Sequence, residues 1–260
     1  MAETSLVLRL AGPLQSWGAR SQFNRRETQD RPTKSGVIGL LAAAQGRRRA
    51  DSIEDLVGLR LAVRVDQPGS LLRDYHTVSD IRGVPLLSAS TNAKGRQTST
   101  SPKKFTHVTS RYYVQDAVFV AVVEGPRQLL EDLALAVLRP AYPLALGRRS
   151  CPPARPLLVT RNDNPDGESI WPGAAAEVVL AVPWQASESW QNRQNGVASM
   201  AYTVDDPEGM DVVSDVPVSF DPQRRQMVSR RVQHGWVTLT DGRDGSADAR
   251  DHDPFALLGW

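Results

Sequence analysis

The chain has 260 residues, 40% of them hydrophobic, which is enough for one large domain or two modest ones with a core. Its formal net charge of +2 conceals an asymmetry, because residues 1–160 carry a net +10 and residues 161–260 a net −8. No apolar run approaches the roughly 18–20 residues that span a bilayer, the N-terminus does not read as a signal peptide, and a lone Cys151 with four scattered histidines excludes an internal disulfide and a cysteine-cluster zinc site. These features predict a cytoplasmic protein without metal or cofactor.

In chain order, residues 5–10 alternate, with Leu6, Leu8 and Leu10 on one face and Val7 and Arg9 on the other, which predicts a half-buried strand. A turn-rich loop, Gly12-Pro-Leu-Gln-Ser-Trp-Gly18, leads into a basic segment with Arg20, Arg25, Arg26 and Arg31. Pro32-Thr-Lys-Ser-Gly36 then opens a helix with Val37, Ile38, Leu40 and Leu41 at helical spacing, Ser35 as N-cap and Gly46 as stop. A helix start with a lysine suits a phosphate, although the spacing is not that of a nucleotide-binding P-loop, and an ordinary capped helix reads equally well.

A short helix at 53–57 precedes a strand at 59–66, where Leu59, Leu61, Val63 and Val65 alternate with polar residues, and 71–78 also reads as extended. Within it, Arg73-Asp-Tyr-His-Thr77 offers His76 as a possible general base, although a structural histidine is the commoner case. Residues 81–111 contain no acid yet carry Arg82, Lys94, Arg96, Lys103, Lys104 and Arg111. Such a stretch repels itself unless a polyanion or a complementary protein face lies on it; a solvated basic face is the competing reading.

Strands are predicted at 111–114 and at 117–123, the second apolar throughout and therefore central in its sheet. Tyr112 beside Arg111 could stack a base, and so could Trp17. Gly125-Pro126 opens a helix with Leu129, Leu130, Leu133 and Ala136 on one face, closed by Pro140. The proline-stiffened loop around Gly147-Arg-Arg149 sets two guanidiniums side by side, suited to phosphate or to a salt bridge with the acidic part. A strand at 157–160 and a polar linker at 161–167 follow, and then strand-like pieces at 177–182, 198–204, 212–220, 227–232 and 235–239. Residues 241–253 hold five Asp and read as a flexible loop.

The order strand–helix–strand, long insertion, strand–helix–strand is that of a ferredoxin-like α+β domain over 1–160. Residues 161–260 read as a smaller β-rich domain with an acidic tail.

Leu8-Arg-Leu-Ala-Gly-Pro-Leu-Gln-Ser-Trp-Gly18, Pro32-Thr-Lys-Ser-Gly-Val-Ile-Gly-Leu-Leu-Ala-Ala43, Arg73-Asp-Tyr-His-Thr77, Arg111-Tyr-Tyr113 and the Pro143–Pro153 segment together resemble the CasD family, the Cas-five-type subunits of the type I-E CRISPR surveillance complex Cascade. The resemblance covers residues 4–160. It implies a ferredoxin-like (RNA-recognition-module-like) domain with a thumb at 81–108 and a small C-terminal β domain, in an antiviral ribonucleoprotein. The implied role is non-catalytic: to cap the 5′ handle of the CRISPR RNA and to contact the backbone subunit and the large subunit that recognises target DNA. With that role, Arg25, Arg26, Lys34, Arg148 and Arg149 are the leading phosphate contacts. Gln15, Ser16, Trp17, His76 and Tyr112 are candidates for bases or sugars, and Ser35, Arg82, Lys103, Lys104 and Arg111 complete the set. The alternatives are a metal-independent endoribonuclease using His76 or His107 with Tyr112, and an adaptor that touches no RNA.

Overall fold

The computed structural model describes residues 3–18, 25–79, 105–161, 167–221, 223 and 226–240. Its framework is a mostly antiparallel sheet with few helices. The strands are β1 (Thr4–Gln15), β2 (Arg25–Arg26), β3 (Arg60–Gln67), β4 (Ser70–Ser79), β5 (Thr106–Glu124), β6 (Ile170–Pro172), β7 (Val197–Asp205), β8 (Asp211–Ser219) and β9 (Gln226–Thr240). The helices are α1 (Lys34–Ala44), α2 (Glu54–Val57), α3 (Arg127–Leu138), α4 (Ala175–Ala181) and α5 (Glu188–Arg193). The main strand order is β6-β1-β5-β3-β7-β9-β8, with β2 and β4 pairing onto the far half of β5.

The expected apolar strand is central: one half of β5 pairs with both β1 and β3, from Phe119 to Glu124. The two strands expected at 111–114 and 117–123 are a single element, kinked at Asp116, whose φ is 54°. That kink coincides with a register shift between Val65 and Gln67 on β3, and the Gln67 side chain donates to the Asp116 carbonyl at 2.6 Å. An extra residue at such a site bends a strand and raises its twist. Beyond the kink, β5 leaves β1 and β3 and pairs with β4 and β2 instead.

Leu6, Leu8 and Leu10 pack with α1 and α3 on one face of the sheet, as their alternation predicts. The opposite face was expected to be open and is instead covered, because Val7, Val120 and Val122 pack against Val178, Val179 and Val182 of α4 and its exit. This overturns the strand expected at 177–182. The valines favour a strand by propensity, but their spacing lays one helical stripe on the sheet, and tertiary packing decides.

The segment expected as a strand at 157–160 runs beside β1, with Arg9 N–H donating to Leu157 O and Val159 N–H to Val7 O, and β6 extends that edge. The boundary expected at 161–167 does not interrupt the sheet: β7 pairs onto β3 through Val63↔Thr203, and β9 and β8 follow. The pieces expected at 227–232 and 235–239 are one strand, β9. Gly235 sits within it because a Cβ there would run into the Tyr202 ring.

The acid-free insertion falls largely outside the described residues. Its last part does not, since β5 begins at Thr106 and so takes in residues 106–108. Residues 241–253, expected as a flexible loop, also lie outside. Among the described residues no helix is long and apolar enough to cross a membrane.

Candidate nucleic-acid interface

Beyond the Asp116 kink, β2, β5 and β4 lie side by side, with Arg25↔Ser110↔Tyr75 in one row and Arg26↔Arg111↔Asp74 in the next. Side chains alternate along each strand, so the rows face opposite ways. One face carries Arg25, Arg73, Tyr75, Ser110 and Tyr112. Arg25 stacks over the Tyr112 ring at 5.4 Å, and Arg73 donates to Ser110 Oγ at 3.3 Å. Tyr75 is 63% exposed, and Arg25 and Arg73 are exposed too. The one acid bonded to this group is Glu27, paired with Arg25 at 2.8 Å. Two phenol rings with two guanidiniums on an open sheet surface suit the bases and phosphates of a single strand. Arg73 and Tyr75 do not stand among the candidate contacts read from the sequence. The alternation of 71–78 against 110–112 is the signal that joins them to Tyr112.

The other face turns inward. Arg148 lies over the Tyr113 ring at 4.8 Å and donates to the carbonyls of Tyr112, Arg26 and Glu27. It therefore fastens β2 to β5 and is not displayed as a phosphate ligand, in contrast to its expected role. Arg149 is exposed, Arg26 is exposed and Arg111 is half-buried. His76 is half-buried, 3.4 Å through Nδ1 from Thr109 Oγ1. Register puts His76 and His107 on the face of β5 opposite Tyr112, so these groups do not come together as an acid–base pair.

Several expected contacts are scaffold. Gln15 is fully buried and donates to Leu10 O and Ala117 O, while its Oε1 accepts the indole N–H of Trp17. Trp17 is fully buried against α1, where a Cβ on Gly36 would come within 2.7 Å of its ring. Ser16 is buried and accepts N–H from nothing outside the loop, its hydroxyl donating to Tyr112 O and its own N–H to Leu146 O. Trp17 N–H donates to Thr28 Oγ1 and Gln29 N–H to Trp17 O. The Gln-Ser-Trp motif thus positions β2 and Tyr112 from beneath and offers no base contact of its own.

The helix start is likewise occupied. Thr33, not Ser35, is the N-cap of α1, its hydroxyl accepting from Gly36 N–H, and Ser35 is half-buried beside it. The Lys34 N–H donates to Asp215 Oδ2 at 2.7 Å, and its ammonium is buried against Asp205 at 2.8 Å. Arg230 bonds both carboxylates, so two cations balance two anions where a phosphate was expected. Burial lowers the Arg230 pKa, but Asp215 and Asp205 outweigh it and hold the guanidinium firmly charged. The helix dipole is satisfied by an acid from β8, within the part whose negative charge stands out in the sequence.

Arg82, Lys103 and Lys104 lie outside the described residues. Among the described residues no group of acids, histidines and cysteine could hold a metal ion.

Three comparisons bear on this arrangement. The family model described as CRISPR-associated protein (Cas_Cas5) matches residues 5–233. The CRISPR system Cascade subunit CasD of Escherichia coli (strain K12) is 38% identical over 168 residues, spanning 59% of this chain and 69% of that protein. A solved chain of a CRISPR RNA-guided surveillance complex superposes with a TM-score of 0.68 at 34% identity, covering 92% of this chain and 95% of the other. The crystal structure of a Cas protein gives 0.64 at 33% identity, covering 90% and 94%. A match of this extent to the family model makes the chain a member of the CRISPR-associated Cas5 family.

Proposed function

We propose that this chain is a CasD-type subunit of a type I-E Cascade and binds the 5′ handle of the CRISPR RNA without cutting it. The observation that carries the reading is the exposed face of β2, β5 and β4, where Arg25, Arg73, Tyr75 and Tyr112 combine stacking surfaces with positive charge in a member of the Cas5 family. Base–aromatic stacking contributes about 1–3 kcal/mol per base and needs no particular sequence, and guanidiniums add phosphate contacts. Arg26, Arg111 and Arg149 extend the positive border.

The order β6-β1-β5-β3, with α1 and α3 on one side, supports a ferredoxin-like core. In that reading residues 81–108 form the thumb, Arg82, Lys103 and Lys104 meet RNA or the backbone subunit, and the large subunit and target DNA lie nearby. The acidic part from 161 onward supports the core, and the complex works in the cytoplasm. The endoribonuclease alternative is disfavoured because His76 and His107 lie on the opposite face of β5 from Tyr112.

The test is direct binding of a labelled repeat-derived 5′ handle RNA, in chelator, by the wild-type chain and by Tyr75→Ala/Tyr112→Ala. Retained RNA at intact length, with affinity lost in the variant, supports the reading. Specific scission by the wild type replaces it with a nuclease, and equal affinity moves the RNA elsewhere on the chain.

A further inference from the structure

Away from the RNA face, a cleft of about 1050 Å³ opens between the end of α3, residues 153–160 and residues 183–191. Its apolar wall includes Val137, Leu138, Leu144, Leu157 and Trp184, and Leu138 is 64% exposed there. Two guanidiniums border it. Arg9 donates to Gln185 Oε1 and Pro156 O, and Arg155 donates to Gln185 O at 2.7 Å. Among the described lining residues Glu188 is the single acid, so the cleft pairs a greasy wall with net positive charge.

Thr240, the last described residue of β9, lines this same cleft. The sequence that continues from it is complementary in both respects: residues 241–253 contain five Asp, and residues 255–260 read Phe-Ala-Leu-Leu-Gly-Trp. Asp251 and Asp253 stand just before the apolar run, matching an apolar wall bordered by arginines. Reach is not limiting, since fifteen extended residues span about 50 Å, and the entropy of closing such a loop grows only slowly with its length. A tethered segment also competes at a high effective concentration against any free partner.

We propose that residues 255–260 occupy the cleft in cis, with Phe255, Leu257, Leu258 or Trp260 against Leu138 and Leu157, and Asp251 and Asp253 facing Arg155 and Arg9. The segment then fastens the basic part to the acidic part, because the cleft takes its walls from both. This does not depend on the RNA reading.

The experiment uses the full chain, its Phe255→Ser/Leu258→Ser variant, and Arg155→Glu with and without Asp253→Arg. Trypsin cleavage after Arg250 and hydrogen exchange at 183–188 are followed. Occupancy in cis predicts cleavage and exchange at least about tenfold faster in the serine variant. It also predicts faster cleavage in Arg155→Glu, with protection recovered when Asp253→Arg is added. Equal rates in the wild type and the serine variant overturn the proposal. Protection that appears only when other subunits are added also overturns it and assigns the cleft to a partner. RNA affinity, measured on the same variants, stays unchanged whichever way the tail behaves.

Discussion

Arg64 and Asp66, two positions apart on the same face of β3, form an ion pair with no solvent exposure. The guanidinium donates to both carboxylate oxygens and also to the carbonyls of Val179, Val182 and Pro183. A helix end leaves carbonyls without intrahelical partners, and here a strand residue supplies the donors for α4. Burial pushes the Asp66 carboxyl upward, while the Arg64 guanidinium and the Gln185 N–H pull against it. Asp66→Ala is expected to cost about 3–5 kcal/mol, because it leaves a buried guanidinium without its counter-charge. Urea unfolding measures the loss, and a change near zero would show that the pair is dispensable.

A second ion pair responds to pH. The Arg47 guanidinium beside Asp55 holds that carboxyl below its ordinary value. A carboxyl depressed in the folded state stabilises fully above the unfolded value, about 4, and loses that contribution as pH falls through the folded value. The pair is partly exposed, so Asp55→Asn should cost only about 0.5–1 kcal/mol at neutral pH. The gap between variant and wild type should close in acid below the folded value. Denaturant titrations at both pH values check this, and a gap that widens in acid contradicts it.

Gly147 has a φ of 91° and lies so close to the Ser16 carbonyl that a Cβ would overlap it. Gly147→Ala should therefore lose upwards of about 2 kcal/mol. Gly18→Ala meets open space and should stay within about 0.5 kcal/mol of wild type. Thermal melts of the two variants form the comparison.

Arg148 and Arg149 are neighbours with separable duties. Arg148→Ala removes three carbonyl contacts and a ring contact, so it should lower the melting temperature and weaken RNA binding together. Arg149→Ala should leave the melt unchanged. If it contacts one phosphate, it should flatten the salt dependence by about 0.7 log unit per tenfold salt. An unchanged slope would remove Arg149 from the interface.

Local patterns carried much of the fold. Alternation on β1, the continuous apolar run of β5 and the proline-opened helix α3 are each visible within a few residues. Helix α4 was not, because its valines imitate a strand until the sheet beneath it is known. Helix α5 shows only a Ser187 cap followed by Glu188. At the interface, residue type pointed to Gln15, Trp17 and Lys34, but type does not tell a polar group serving the core from one serving a ligand. Burial separates them. Tyr75 and Tyr112 are 37 positions apart, and only the β4–β5 register sets them on one surface.

The junction of β3 with β7 also bears on how the chain matures. Val63 hydrogen-bonds opposite Thr203, and β1 pairs with a strand more than a hundred residues later. Contacts this distant in sequence slow folding. During synthesis β3 emerges long before β7 and presents an unpaired sheet edge until its partner is made. Unfinished edges invite pairing with other chains. Fragments that end before residue 197 should therefore aggregate even though they contain every residue of the RNA face.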